Sequence, residues 1–183
     1  MSDPRPSVLL VEDEPPLREA YSRVLSQSYD VSTAATGEAA IDRLTDEIDV
    51  VLLDRTLPDA DGEDLLREVQ SRTDHCYVAM VTAIEPDFDI IDMGVDDYLV
   101  KPVPTEAVQE TVERLLSLAE YDETYRDLSQ KRVKRSVLAQ EKSPPELGES
   151  EEFRRLQAEI DRLEAELDEI ADECEGVERD LEQ

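Results

Sequence analysis

Val50-Val51-Leu52-Leu53-Asp54 is a run of four apolar residues closed by an acid. Short apolar runs bounded by polar residues read as buried strands. Three more runs repeat the pattern: Val8-Leu9-Leu10-Val11 ends in Glu12-Asp13, Val78-Ala79-Met80-Val81 in Thr82, and Tyr98-Leu99-Val100 in Lys101-Pro102. In an open α/β sheet, functional groups gather beyond the carboxyl ends of the strands. Three acids, a hydroxyl and a lysine brought to one edge therefore predict a cation and phosphoryl site.

The chemistry follows from the residue types. Clustered carboxylates repel one another, and a hard divalent cation with oxygen ligands relieves that repulsion. Asp13 and Asp54 are the natural direct ligands, with Glu12 acting directly or through water. Magnesium fits best, because it takes a couple of carboxylates, several waters and a phosphate oxygen. A carboxylate held on that ion can attack phosphorus and become an aspartyl phosphate. The added negative charge calls for magnesium, the Lys101 ammonium and the Thr82 hydroxyl as stabilising partners. Each residue alone is more simply a turn residue, a cap or a solvated charge. The ordered combination on four strands carries the reading.

Helical signals alternate with the strands. Strands are predicted at Ser7 to Val11, Val31 to Ala34, Val50 to Leu53 (central), Tyr77 to Val81 and Tyr98 to Val100. Helices are predicted from Pro16 to about Ser26 and, capped by Thr36, to about Thr45. Another follows the loop Leu57 to Gly62 and runs to about Ser71, and a short one lies near Phe88 to Met93. Pro104 opens the last, at a first-turn position that suits proline.

Residues 7 to about 119 resemble the receiver domain of two-component response regulators. The motifs that carry the resemblance are VLLVEDE, LLDRTLPDADG, MVTA and DDYLVKP. It implies a flavodoxin-like (βα)5 fold with a five-stranded parallel sheet and phosphotransfer from a histidine kinase onto Asp54. It also implies magnesium held by Asp13, Asp54 and the backbone carbonyl of Thr56, with Glu12 nearby. Thr82 and Tyr98 match the family's switch pair, and the kinase is expected to dock around Pro16 and Leu17. Glu12 stands where Asp is more frequent, and Arg55 where an aliphatic residue is commoner. Ile84 places an apolar side chain on the expected path of hydrolytic water, which predicts slow self-dephosphorylation.

Composition narrows the class. The 183 residues suit one domain, 1–119, plus an extension, 120–183, and carry a net charge of −29 from 48 acids against 19 bases. This balance argues against a DNA-coating protein and suits a salt-loving host, since high salt screens self-repulsion. No apolar run is long enough to span a membrane, and the N-terminus lacks a secretion signal, so a cytoplasmic protein is expected. Cys76 and Cys174 have no metal-ligand spacing and read as buried structural thiols. With His75 as the single histidine, a histidine-rich metal site is excluded.

Beyond residue 119 the character changes. No helix breaker interrupts Glu120 to Lys142, so the fifth helix is predicted to continue outside the domain. Ser143-Pro144-Pro145-Glu146-Leu147-Gly148 reads as a stop and turn. A heptad follows over about 151–183: Phe153, Leu156, Ile160, Leu163, Leu167, Ile170, Cys174, Val177 and Leu181, the seam of a coiled coil. Two chains can pair in parallel through it, or it can fold back on residues 120–142. Residues 120–142 hold six bases against five acids, and 143–183 four against sixteen. This charge contrast favours the fold-back hairpin, within a homodimer or against another protein. The stretch YDETYRDL…EKSPPEL…SEEF…L resembles the HalX-type output segment of haloarchaeal response regulators.

Three functions compete. The first is a phosphorelay response regulator signalling through helical protein association, with phosphoacceptance rather than turnover as its chemistry. The second is a transcription regulator touching DNA through Lys131-Arg132-Val133-Lys134-Arg135, although such a run more often complements neighbouring acids. The third is an aspartyl-phosphate phosphatase of the haloacid dehalogenase type. Those enzymes carry a second Asp two residues beyond the nucleophile, where this chain has Thr56.

Overall fold

The computed structural model describes residues 5–73 and 75–181, and side chains as far as residue 172. Two compact units divide the chain, Met1–Leu116 and Ser117–Gln183.

The first unit alternates strands and helices. β1 (Ser7–Val11), β2 (Asp30–Ala34), β3 (Val50–Leu53), β4 (Tyr77–Thr82) and β5 (Asp97–Val100) form one sheet. All pairs are parallel, in the order β2-β1-β3-β4-β5, so β3 is central as its apolar run predicts. Between the strands lie α1 (Pro15–Leu25), α2 (Gly37–Arg43), α3 (Gly62–Arg72) and α4 (Ile90–Met93), and α5 (Thr105–Glu141) follows β5.

Alternating side chains face opposite sides of the sheet. Leu9, Val11, Val51, Leu53, Val78 and Met80 pack with Ala40 of α2 and Leu65, Leu66 and Val69 of α3. Val8, Leu10, Val50, Leu52, Ala79 and Val81 pack with Tyr21 and Leu25 of α1 and Val108, Val112 and Leu115 of α5. Because both faces are covered, the inner strands are continuously apolar rather than alternating.

The helix boundaries follow their caps. The Thr36 side chain accepts from the Ala39 amide at the start of α2, and Asp61 from the Glu63 amide at the start of α3. Several boundaries differ from expectation. α2 stops at Arg43, short of Thr45, because Leu44 is already extended. α4 has four residues, none of them fully buried, and the partial packing of Met93 against the core is too little to lengthen it. Pro104 lies just ahead of α5 rather than inside its first turn, its carbonyl accepting from the Val108 amide.

In the second unit α5 runs unbroken to Glu141, 37 residues in all. The Ser143 to Gly148 stretch is not a plain turn. It is a short helix, α6 (Pro144–Glu149), with Pro at its first positions and a capping box formed by Ser143 and Glu146. Proline lacks an N–H that the first turn does not need, so Pro144-Pro145 starts a helix as readily as it ends one. α7 (Glu151–Leu181) follows, with Ser150 accepting from the Phe153 amide.

Heptad positions Leu156, Ile160, Leu163 and Leu167 pack against Tyr121 and Leu128 of α5. Lys131 pairs with Glu159 at 2.8 Å and Arg132 with Glu164 at 2.7 Å. Near the turn, Val133 and Val137 line a cleft with Phe153 and Leu156, whereas Tyr121 lies with Leu167 and Ala171. The order reverses along α7, so this pair is an antiparallel hairpin. Cys174, Val177 and Leu181 lie outside the described side chains.

Candidate functional site

The ladder of main-chain bonds carries on one residue beyond the strands and sets the site. The Glu12 amide donates to Ala34 O (3.0 Å), the Asp54 amide to Val11 O (3.0 Å) and the Lys101 amide to Thr82 O (2.8 Å). Glu12, Asp54, Thr82 and Lys101 are thereby fixed along one carboxyl edge of the sheet.

Glu12, Asp13 and Asp54 each present a carboxylate oxygen within 4.8 Å of the others. Glu12 is 1% exposed and Asp54 5%, and Asp13 is more open. The Lys101 ammonium lies 2.6 Å from Asp54 Oδ2 and 2.7 Å from Glu12 Oε2. Burial raises the Glu12 carboxyl above its ordinary range, against the pull of Lys101. Burial alone would lower the Lys101 ammonium, but hydrogen bonds to Asp54 and Glu12 override it and hold the group above its usual value. Three acids against one lysine leave an excess of negative charge on hard oxygen donors, which is the chemistry a divalent cation fits.

The remaining predicted residues surround this nest. The Thr56 amide donates to Asp54 Oδ1 at 2.9 Å, so each oxygen of Asp54 has a donor. Thr82 is fully buried and its Oγ1 accepts from the Ile84 amide at 3.4 Å. Tyr98 packs against the α2 and α3 core, and its hydroxyl donates to the Ile84 carbonyl at 2.9 Å. Ile84 is 40% exposed and lines, with Arg55, Thr56 and Asp61, a cavity of about 490 Å³.

Two residues escaped the reading of the sequence. Arg18 Nη1 donates to the carbonyls of Glu12 (2.7 Å) and Asp13 (3.1 Å), tying the acidic pair to α1. Its signal was a basic residue one turn into the helix that follows the acids. Gly62 is the other. A Cβ there would stand 2.7 Å from the Asp54 carbonyl oxygen, so only glycine lets α3 start so close to the acceptor loop. The Lys101–Pro102 peptide is cis.

Residues 8–113 match the family described as the response regulator receiver domain, and residues 117–183 match the HalX domain. The chain belongs to the response regulator receiver family. A protein of Haloferax volcanii named as a transcriptional regulator is 46% identical to this receiver chain over 121 residues, covering 66% of it and 21% of the relative. Transcriptional regulatory protein AfsQ1 of Streptomyces coelicolor is 35% identical, covering 65% of this chain and 55% of its own. The chain thus spans about a fifth and about half of these two relatives. A CheY-like receiver domain protein from Methanospirillum hungatei shares the fold, with a TM-score of 0.61, 24% identity and coverage of 64% of this chain and 98% of its own. Among the described residues, no helix of the receiver or its extension is long and apolar enough to cross a membrane.

Proposed function

We propose that this receiver takes a phosphoryl group from a histidine kinase onto Asp54 and signals through its helical extension, residues 120–183. The observation that carries the reading is the Lys101 ammonium held between two buried carboxylates, with Asp13 beside them. A magnesium ion would be held by Asp13, Asp54 and the Thr56 carbonyl, with Glu12 direct or through water. When bound, it supplies positive charge to the transferring phosphoryl group. An Asp54 oxygen forms the bond to phosphorus as the phosphohistidine N–P bond breaks, and the imidazole leaves with that electron pair. Lys101 and the Thr82 hydroxyl stabilise the negative charge on the transferred oxygens.

Thr82 and Tyr98 are the proposed switch, with α5 as the element through which a change near β5 reaches the extension. Kinase docking is proposed around Pro16 and Leu17 at the start of α1. The output is proposed to be association of the hairpin with a second copy or another protein. Direct DNA contact by Lys131 and Arg132 has less support, since Glu159 and Glu164 already pair with them. A cytoplasmic location fits this role.

The experiment is labelling by a small phosphodonor in magnesium, with Asp54→Asn as the comparison. Acid-stable but base-labile label on the wild type and none on the variant is the expected result. Equal label on both would remove Asp54 as the acceptor.

A further inference from the structure

Arg55 follows Asp54 directly, and its side chain is turned away from it. Arg55 Nη2 lies 2.6 Å from Asp89 Oδ2 and forms a second, shorter ion pair with Glu63 in the first turn of α3. Its side chain is 14% exposed, against 42% for Asp89. One side chain therefore joins the loop that follows Asp54, the start of α3 and the loop between β4 and α4. Separately, the Tyr98 hydroxyl on β5 donates to the Ile84 carbonyl of the loop that follows β4. Pairing with Arg55 holds the Asp89 carboxyl below its ordinary range, so both partners stay charged.

The tethered loop runs from Thr82 to Asp89. Register places its start beside Asp54, since Leu53 pairs with Met80 and the Thr82 carbonyl accepts from the Lys101 amide. A phosphoryl group on Asp54 brings added negative charge and oxygens that need donors. Lys101 is one. Further donors on this edge belong to the tethered loop, namely the Thr82 hydroxyl and the amides beyond it. The Ile84 amide is engaged on the Thr82 hydroxyl oxygen, and the Ile84 carbonyl is held by the Tyr98 hydroxyl. Bringing these donors onto phosphate requires the loop to shift, and the Arg55 contacts resist that shift.

We infer that Arg55 is a positioning residue: by holding Asp89 it anchors the loop between β4 and α4 and sets how easily that loop closes on a modified Asp54. The inference rests on Asp54 as the phosphoacceptor, and it assigns Arg55 no contact with the phosphoryl group. Its direction is definite, because a tether that favours the open loop weakens binding of anything that needs the closed one.

The test uses the full chain with magnesium and beryllofluoride as the phosphoryl mimic. Arg55→Met and Asp89→Asn are each expected to tighten beryllofluoride binding about five-fold, the scale of one partly exposed ion pair. The double variant should gain no more than either single one, because both remove the same link. The advantage over wild type should shrink as salt screens the pair.

Amide hydrogen exchange over residues 83–89 reads the tether without any phosphoryl group and should quicken in both single variants. Unchanged exchange and affinity, or additive gains in the double variant, would overturn the inference. So would weakened binding in Arg55→Met, which would make the guanidinium a direct ligand. Faster exchange in a chain that takes no label at Asp54 would uphold the tether and remove the acceptor assignment instead.

Discussion

The Lys101 ammonium sits 2.6 Å from Asp54 Oδ2, with Glu12 Oε2 at 2.7 Å on its other side. Two buried carboxylates thus share one cation, delivered from the end of the edge strand β5. Removing the cation leaves them unpaired, so Lys101→Met should destabilise the metal-free protein by about 3 kcal/mol. Urea unfolding should show the loss, and millimolar magnesium should recover part of it. Labelling of Asp54 should also slow by about 100-fold, the scale of losing one charged stabiliser of the transition state.

Gly62 predicts a different failure at the same site. A methyl group there meets the Asp54 carbonyl and the Arg55 backbone, neither of which can yield without moving the acceptor loop. Gly62→Ala should cost about 2 kcal/mol in thermal or urea unfolding, the range of an overpacked contact. Labelling should fall even where the protein remains folded.

Ile84 borders the cavity beside the acceptor loop and is partly exposed. A carboxylate at that position can orient water for attack on an acyl phosphate. Ile84→Glu should shorten the lifetime of the label by about ten-fold, the low end of general-base assistance. Timed loss of label after removal of the donor measures it, and an unchanged lifetime would remove Ile84 from the account.

Cys76 is a half-buried thiol packed against the α2 and α3 core. Burial pushes it up to about 12, with the hydrogen bond from Thr73 opposing the shift only in part. Only the thiolate alkylates, so at mildly alkaline pH iodoacetamide should modify Cys76 about 100-fold more slowly than a free thiol. The rate should climb with pH until the folded value is passed. Peptide mapping separates Cys76 from Cys174.

The hairpin predicts independence of its own. Ile160 is fully buried between α5 and α7. Ile160→Ala should cost the extension about 3 kcal/mol through the cavity it leaves. Circular dichroism and hydrogen exchange should report the loss over 120–172, with labelling of Asp54 unchanged.

Much of this was legible in the chain. The runs at Val8, Val50 and Val78 are buried on both faces, and a strand with no polar face cannot be mistaken for a surface element. The acids, Thr82 and Lys101 were legible because each closes such a run. The Pro144-Pro145 stretch was misread as a plain turn because proline marks helix starts and stops alike, and the choice rested on the Ser143 and Glu146 capping box. α4 was legible only as a vague helical signal, since it has four residues and none of them is fully buried.

Sequence alone determined the order of strands and helices, the residues brought to the carboxyl edge and the heptad of the extension. These follow from periodicity and from residue chemistry, which are local properties. Tertiary structure alone decided that Lys101 bridges Asp54 and Glu12, that Arg55 reaches Asp89 and Glu63, and which residues of α5, Tyr121 and Leu128, meet the heptad in the hairpin that the charge contrast favours. Those pairings join residues distant along the chain. Their geometry depends on the twist and register of the sheet and on the turn between two helices, which no local pattern encodes.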